Sequence, residues 1–459
     1  MTTLELTLGW IARAVGGRLT GGDAATSVGD VVTDSRVAAA GDLFIALQGP
    51  RFDGHDFVPG VLAKGAAVIS AAAADGGPAI RVGDTLQALQ DLAHAVRKAV
   101  AARVVAITGS AGKTTTKETI AELLSGKLRV VKNKGNLNNH IGLPLSLMQL
   151  RSQPDVAVME LGMNHAGEIR TLVAIAEPDV RVWTNVGDAH IGFFESPDAI
   201  ADAKAEILER ATSRDVLVCN ADDDRIMRRV SGFAGRTVTF GEAPAATVRA
   251  SRIEDLGLDG MRAHVTTPAG AVDITTPLLG RGNLANVLAA TGVALEFGVT
   301  LEESAARAKH LHAADRRGAV HRLRGNVLLV DDSYNSSPSA LKRSLEMLGH
   351  AAGRRKIAVL GEMLELGAHS LALHESCGEA AAAANLTLLL AVGGGPARAM
   401  AAAAIAAGMP ESSVRHFEDS TAAAAAAVAE IRGGDVVLVK GSRGIRTDVV
   451  VDRILAERG

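Results

Sequence analysis

"RVVAITGSAGKTTTKE" (residues 103–118) is the stretch on which the reading of this chain turns. An apolar run ends on Gly109, a small-residue turn follows, and Lys113 with three threonines opens a helical pattern. Strand, glycine turn and helix start together make a phosphate grip, because glycine lets backbone approach an anion closely and the helix N-terminus supplies positive dipole. The N–H groups of Gly109, Ser110, Ala111, Gly112, Lys113 and Thr114, with Thr115 next in line, are expected to wrap phosphate oxygens. Lys113 would reach the β and γ phosphates of a nucleotide, and the Thr114 hydroxyl would face magnesium. The longer P-loop pattern needs a glycine where Ile107 stands, so the match is to a shorter loop, G-x-x-G-K-T-T. A turn with an incidental lysine is the bland alternative, disfavoured by the strand before and the helix after.

Working outward, apolar runs alternate with helical patterns on both sides. "PDVAVMELG", "VRVWTNVG" and "DVLVCNADD" follow the loop and suit parallel strands covered on both faces. From about residue 314 the style repeats in "NVLLVDDSYN", "RRKIAVLGEM", "LTLLLAVGGG" and "GDVVLVKGS". Ahead of the loop lie shorter pieces, "DVVTDSR", "DLFIAL" and "AAVIS", then a connecting helix over residues 84–102. The fold class expected is α/β in three domains: a small N-terminal α/β domain (1–83), a central P-loop ATPase-like domain (84–313) and a C-terminal Rossmann-like domain (314–459). Open α/β sheets place ligands at strand C-termini, so two facing sheets would make a cleft.

Composition excludes several classes. With 459 residues, 47% of them hydrophobic, the chain exceeds a single core. Forty-eight basic against 51 acidic residues leave a net charge of −3, and aromatic residues are 3%, so there is no footprint for nucleic acid. The N-terminal stretch lacks a basic flank and long apolar run, and the alanine-rich tracts are too short to span a bilayer. Cys219 and Cys377 read as reduced core thiols. A cytoplasmic protein without a membrane span is expected, as a monomer.

Other polar residues are individually weak signals. Glu160 ends an apolar strand and could hold magnesium, though such glutamates are more often solvated. His190 reads as a turn residue and Lys204 as an exposed helix lysine. Asn283 and Asn286 open a helix, where capping is the default and adenine contact the alternative. "VLLVDDSYNSSP" gathers two aspartates and the only tyrosine, Tyr334, at a strand end, a polar cluster costly to bury without a partner.

Taken with "DSR" (34–36), "GDLFIALQGPRFDGHDF" (41–57), "GNLNNHIGLPLSL", "ELGMN", "NVGDAHIGFF", "AKAEI", "DDSYNSSPSAL", "LGEMLELG" with His374, and "VLVKGSRG", the chain resembles the Mur ligase family over essentially its full length. The resemblance implies an ATP- and Mg2+-dependent amide ligase of peptidoglycan synthesis, in which a substrate carboxylate becomes an acyl phosphate that an amine attacks. Within the family it is similar to members that add D-alanyl-D-alanine to UDP-N-acetylmuramoyl-tripeptide. The "DNPR" motif of those adding the third residue is absent, and the long segment ahead of Gly109 argues against folylpolyglutamate synthetases. Whether that third residue is diaminopimelate or lysine stays open.

The resemblance also implies roles. Lys113, Glu160, His190, Lys204 and Arg317 would be catalytic, with Thr114 and Glu160 on one magnesium, His190 on a second, and Lys204 carrying a carbamate. Asn283 and Asn286 would face adenine, and Arg317 and Asp332 would meet γ-phosphate and ribose on domain closure. Ser35, Arg36, Asn138, Tyr334 and Asn335 would touch the other substrates. The sequence departs from the family at Gly282, where histidine is frequent, at His140, where an acid is common, and at Ser336, where alanine is usual.

Overall fold

The computed structural model describes residues 3–351 and 355–459, so Met1 and Thr2 of the N-terminal stretch and Arg354, which opens "RRKIAVLGEM", lie outside the described residues. Three sheets organise the molecule, and the α/β expectation holds for each.

The first sheet contains β1 (Arg18–Thr20), β2 (Val31–Val32), β3 (Leu43–Ile45), β4 (Ala67–Ser70) and β5 (Ala79–Arg81), in the order β1-β5-β4-β3-β2. The helix Thr85–Ala99 follows, N-capped by Asp84, and its buried Leu89, Leu92, Ala93 and Val96 recur at helical spacing. Arg151 binds this part to the next by donating to the carbonyls of Leu4, Val28 and Gly29.

The second sheet has nine strands: β6 (Arg103–Thr108), β7 (Val130–Lys132), β8 (Val156–Glu160), β9 (Val180–Trp183), β10 (Val216–Asn220), β11 (Arg236–Gly241), β12 (Val248–Asp255), β13 (Met261–Thr267) and β14 (Gly270–Thr276). Their order is β14-β13-β12-β11-β10-β9-β6-β8-β7. β6 to β11 pair in parallel, and β8 and β9 are buried along their whole length, as uninterrupted apolar runs require. The antiparallel β12–β13–β14 extension is absent from the sequence reading. Its strands alternate buried and open positions, as in β13, because one face is solvated.

The third sheet runs β15-β16-β20-β17-β18-β19, from β15 (Ala319–Leu323), β16 (Val327–Asp332), β17 (Lys356–Gly361), β18 (Leu388–Val392), β19 (Val414–Phe417) and β20 (Val436–Lys440). Only β15 is antiparallel to its neighbour. Cys219 and Cys377 are buried and unpaired, and burial pushes both thiols up to about 12, so neither is poised to react. Among the described residues no helix is long and apolar enough to cross a membrane.

Candidate active site

β6 lies between β8 and β9, so the C-terminal ends of three adjacent parallel strands deliver the glycine loop, Glu160 and the 184–190 segment to one place. The loop tolerates only glycine at its two ends. A Cβ on Gly109 would stand 1.9 Å from Thr184 Oγ1, and one on Gly112 2.3 Å from Asn286 Oδ1. Gly112 also has φ +80° and caps the helix Lys113–Leu124 without a side chain, leaving the first-turn N–H groups for an anion. Two loop donors are already engaged: Ser110 N–H donates to the Asn185 carbonyl at 3.0 Å and Ala111 N–H to Asn185 Oδ1 at 2.9 Å. Asn185 thus shapes the loop, a role the sequence reading did not give it.

Glu160 is buried, not solvated as the default reading had it. Thr114 Oγ1 donates to its Oε2 at 2.7 Å and Asn138 Nδ2 to its Oε1 at 2.9 Å. Asn133 holds the strand end itself, accepting from Glu160 N–H and donating to the Glu160 carbonyl. Beside them, Lys113 folds back to donate to the Gly109 carbonyl at 2.8 Å. Burial lowers the Lys113 pKa, Glu160 opposes that shift, and Arg317 adds to it.

Lys204 is not the exposed helix lysine that its pattern suggests. It is 2% exposed on the helix Pro197–Ala205, and no hydrogen bond or ion pair is found for its amine among the described residues. Desolvation first and the Lys113 charge second drive its pKa well below that of an ordinary lysine, favouring a neutral, nucleophilic amine. The spacing did carry a signal: Lys204 follows the buried Ile200 by four residues and precedes the buried Ile207 by three.

Asn283 and Asn286 do not cap their helix, whose N-cap is Leu279. Asn283 Nδ2 donates back to the Leu279 carbonyl, Asn286 Nδ2 to Asn283 Oδ1, and Thr116 Oγ1 to Asn286 Oδ1. The chain of amides ends against Gly112, joining this helix to the glycine loop. At Gly282 an added Cβ would lie 3.7 Å from Arg343 Nε.

From the third sheet, Arg317 lies over the Tyr334 ring with Cζ 4.0 Å from its centroid, and Arg443 lies 5.2 Å from the same ring. Thr114, Lys117 and Lys132 line one side of a groove of about 580 Å³, and Arg317 and Tyr334 the other. Asp332 accepts from Lys440 Nζ at 2.6 Å and from Ser344 Oγ at 3.1 Å, and the exposed Asn335 gives its carbonyl to Lys440. Ser336 is buried with an unpartnered hydroxyl, which nothing in the structure explains.

His190 does sit in a turn, with φ +65°, and its Nδ1 is 2.6 Å from Glu365 Oε2, an ion-pair separation without hydrogen-bond alignment. That imidazole holds the Glu365 carboxyl below its usual range. Next to it, Gly192 N–H donates to the Glu365 carbonyl at 2.9 Å, and Asp188 Oδ2 accepts from Ser339 N–H and Oγ. Ser35 and Arg36 lie apart from these groups in the first sheet's loops. Arg36 is exposed and paired with Asp34, whose carboxyl that guanidinium holds at about 2, and Lys64 donates to the Ser35 carbonyl.

The donors present suit a hard cation held partly by its substrate. Thr114 and Glu160 offer oxygens, while no group of three or more His, Cys, Asp or Glu among the described residues could hold a metal alone.

The chain matches the models for the Mur ligase family, catalytic domain (residues 28–97), the Mur ligase middle domain (107–294) and the Mur ligase, glutamate ligase domain (316–443). It is 37% identical over 462 residues, 99% of each chain, to a UDP-N-acetylmuramoyl-tripeptide–D-alanyl-D-alanine ligase of Escherichia coli. A MurF crystal structure from Acinetobacter baumannii matches with a TM-score of 0.90 and 30% identity over the whole of both chains. A MurF ligase from Thermotoga maritima in complex with ADP matches at 0.83, also 30% identical, over 93% of this chain and 97% of that one.

Proposed function

The chain belongs to the Mur ligase family, and we propose that it joins D-alanyl-D-alanine to UDP-N-acetylmuramoyl-tripeptide with ATP, a cytoplasmic step of peptidoglycan precursor synthesis. The substrate pair rests on the relatives' names. The observation that carries the reaction type is the convergence of Lys113, Thr114 and Glu160 from the second sheet with Arg317 from the third.

A carboxylate is a poor electrophile at neutral pH. Phosphorylation gives it a leaving group, and the amine of the dipeptide then displaces phosphate. In this reading the loop Gly109 to Thr115 grips the ATP phosphates through the N–H groups that Asn185 does not hold, and Lys113 and Arg317 place positive charge where the γ-phosphate and the carboxylate must approach. Asn283 and Asn286 flank the adenine side, and Asp332 the ribose. Asn138 orients Glu160 from behind the substrate, with Tyr334 and Asn335 at the other rim and Ser35 and Arg36 on the uridine diphosphate. Residues 1–83, 84–313 and 314–459 act as the three units, and contact of the third with the second excludes the water that would hydrolyse an acyl phosphate.

Magnesium fits the same residues: Thr114 and Glu160 would hold one ion and His190 a second, with a carbamylated Lys204 as a further anionic partner, and the ions would supply charge screening between phosphate and carboxylate. The buried Lys204 amine, kept neutral by desolvation and the Lys113 charge, is the form that adds carbon dioxide, and the carbamate it would carry is an anion able to face a cation.

The test is phosphate release from ATP with UDP-N-acetylmuramoyl-tripeptide, with and without D-alanyl-D-alanine. Release that needs both, with a product heavier by the dipeptide less water, is expected. Release indifferent to both would make the protein a nucleotide switch.

A further inference from the structure

We propose that Arg316, held by two carboxylates of the final helix, is a positioning residue that sets the angle at which Arg317 reaches the glycine loop. The proposal rests on the ligase reading above and concerns a residue that touches no substrate in it.

Arg316 has a left-handed backbone, φ +56°, which a long L side chain rarely adopts. Such a conformation persists where its surroundings over-determine it. Here the guanidinium Nη2 donates to Asp452 Oδ1 at 3.1 Å and Oδ2 at 3.3 Å, and Nη1 lies 3.4 Å from Asp448 Oδ2. Asp448 and Asp452 are four residues apart on the helix Asp448–Arg458 and so present their carboxylates on one face. The Arg316 carbonyl in turn accepts from Tyr334 N–H at 3.0 Å. The side chain is thus tied to the last helix while its main chain is tied to the residue whose ring carries Arg317.

The next residues carry the consequence. Arg317 N–H donates to the Ala314 carbonyl at 3.0 Å and Gly318 N–H to the Asp331 carbonyl at 2.8 Å, so the peptide units around Arg317 are pinned on both sides. The left-handed turn at Arg316 aims the Arg317 side chain across Tyr334, close enough to Lys113 for the two charges to be felt. Arg443 joins the same ring from the short turn Arg443–Ile445 that precedes the clamping helix. One helix N-terminal region therefore organises both cations around Tyr334. A side chain that only stabilised the third unit would have no reason to act through this peptide.

Tyr334 is the only tyrosine of the chain, which gives a direct readout. Full-length protein labelled with 3-fluorotyrosine yields one fluorine resonance, reporting the cations on that ring. The variants are Arg316→Gly, which accepts the positive φ but loses the clamp, and the double change Asp448→Asn with Asp452→Asn, which keeps Arg316 and removes its partners. Wild-type turnover with both acceptors is measured first; if it is absent, the ligase reading fails and not this proposal. Where the wild type turns over, both variants are expected to shift the fluorine resonance and lower kcat about tenfold. KM for the tripeptide substrate should stay within twofold, with melting temperatures near that of the wild type. The charge-swapped pair Arg316→Asp with Asp452→Arg should recover part of kcat and move the resonance back. Variants with wild-type kcat and an unmoved resonance would overturn the proposal. So would a loss of kcat that follows loss of folded protein while the folded fraction keeps the native resonance.

Discussion

Gly192 and Gly367 meet main chain to main chain where the second and third units touch, so replacing Gly192 by alanine perturbs that contact and little else. The added Cβ would stand 2.6 Å from Gly367 N, 2.7 Å from the Glu365 carbonyl oxygen and 2.9 Å from the Leu366 carbonyl carbon. All three are backbone atoms with no rotamer to yield, and all are nearer than real Cβ contacts come. Gly192 itself has no left-handed φ, so alanine costs nothing there through its own backbone. What is lost is the Gly192 N–H bond to Glu365, worth about 0.5–1.5 kcal/mol net, together with close approach of the two loops. A combined penalty on closure of about 1–3 kcal/mol corresponds to a 5–150-fold change in equilibrium. The assay is steady-state turnover beside thermal unfolding and nucleotide binding. We expect kcat to fall by about tenfold or more, with ADP affinity and melting temperature close to wild type, because the glycine loop and the cores are untouched. A kcat within twofold of wild type would refute the reasoning that this contact is part of the working state.

Lys113→Ala should abolish turnover while circular dichroism and melting stay near wild type, since the lost cation serves phosphate and not the fold; wild-type rates would remove Lys113 from the mechanism. Lys204→Ala should be nearly inactive and partly rescued by a small carboxylate in the buffer, and intact mass of active wild-type protein should show one added carbon dioxide; an unmodified lysine in fully active protein would contradict the carbamate. For His374, Nε2 accepts from Met363 N–H at 2.9 Å and burial lowers the pKa, so the folded state resists protonation. Below about pH 6.5 the unfolded chain binds a proton that the folded chain refuses, and stability should therefore decline as pH falls through that range. His374→Gln should flatten that decline in melting temperature against pH, and an unchanged slope would assign it to other groups.

How far the sequence reveals this site depends on where each signal lies. The glycine loop is legible because its chemistry is local: Gly109, Gly112, Lys113 and Thr114 act within one turn, and their close packing against Thr184 and Asn286 is what demands glycine. The parallel strands are legible because burial on both faces writes a continuous apolar run. Glu160 looks ordinary because its burial depends on neighbours distant in the chain, whereas Lys204 carries only the faint signal of its spacing to Ile200 and Ile207. For Lys204 the family resemblance implies a role, and burial of its amine gives the physical reason. Asn185, Arg316 and the Asp188–Ser339 bond have no local signature, since what defines them is a partner on another strand end, on a helix more than a hundred residues away, or in another unit. The β12–β14 extension escaped for a related reason: half-solvated strands carry a weaker pattern than buried ones.

The most direct test of phosphate transfer through a carboxylate is an isotope experiment. UDP-N-acetylmuramoyl-tripeptide is labelled with heavy oxygen in its terminal carboxylate and turned over with ATP and D-alanyl-D-alanine. Label in the released inorganic phosphate, one atom per amide bond formed, is the result expected if the carboxylate is phosphorylated and then displaced. Unlabelled phosphate, with all heavy oxygen kept in the peptide, would mean that ATP is cleaved by water and that the chain is not a ligase of this kind.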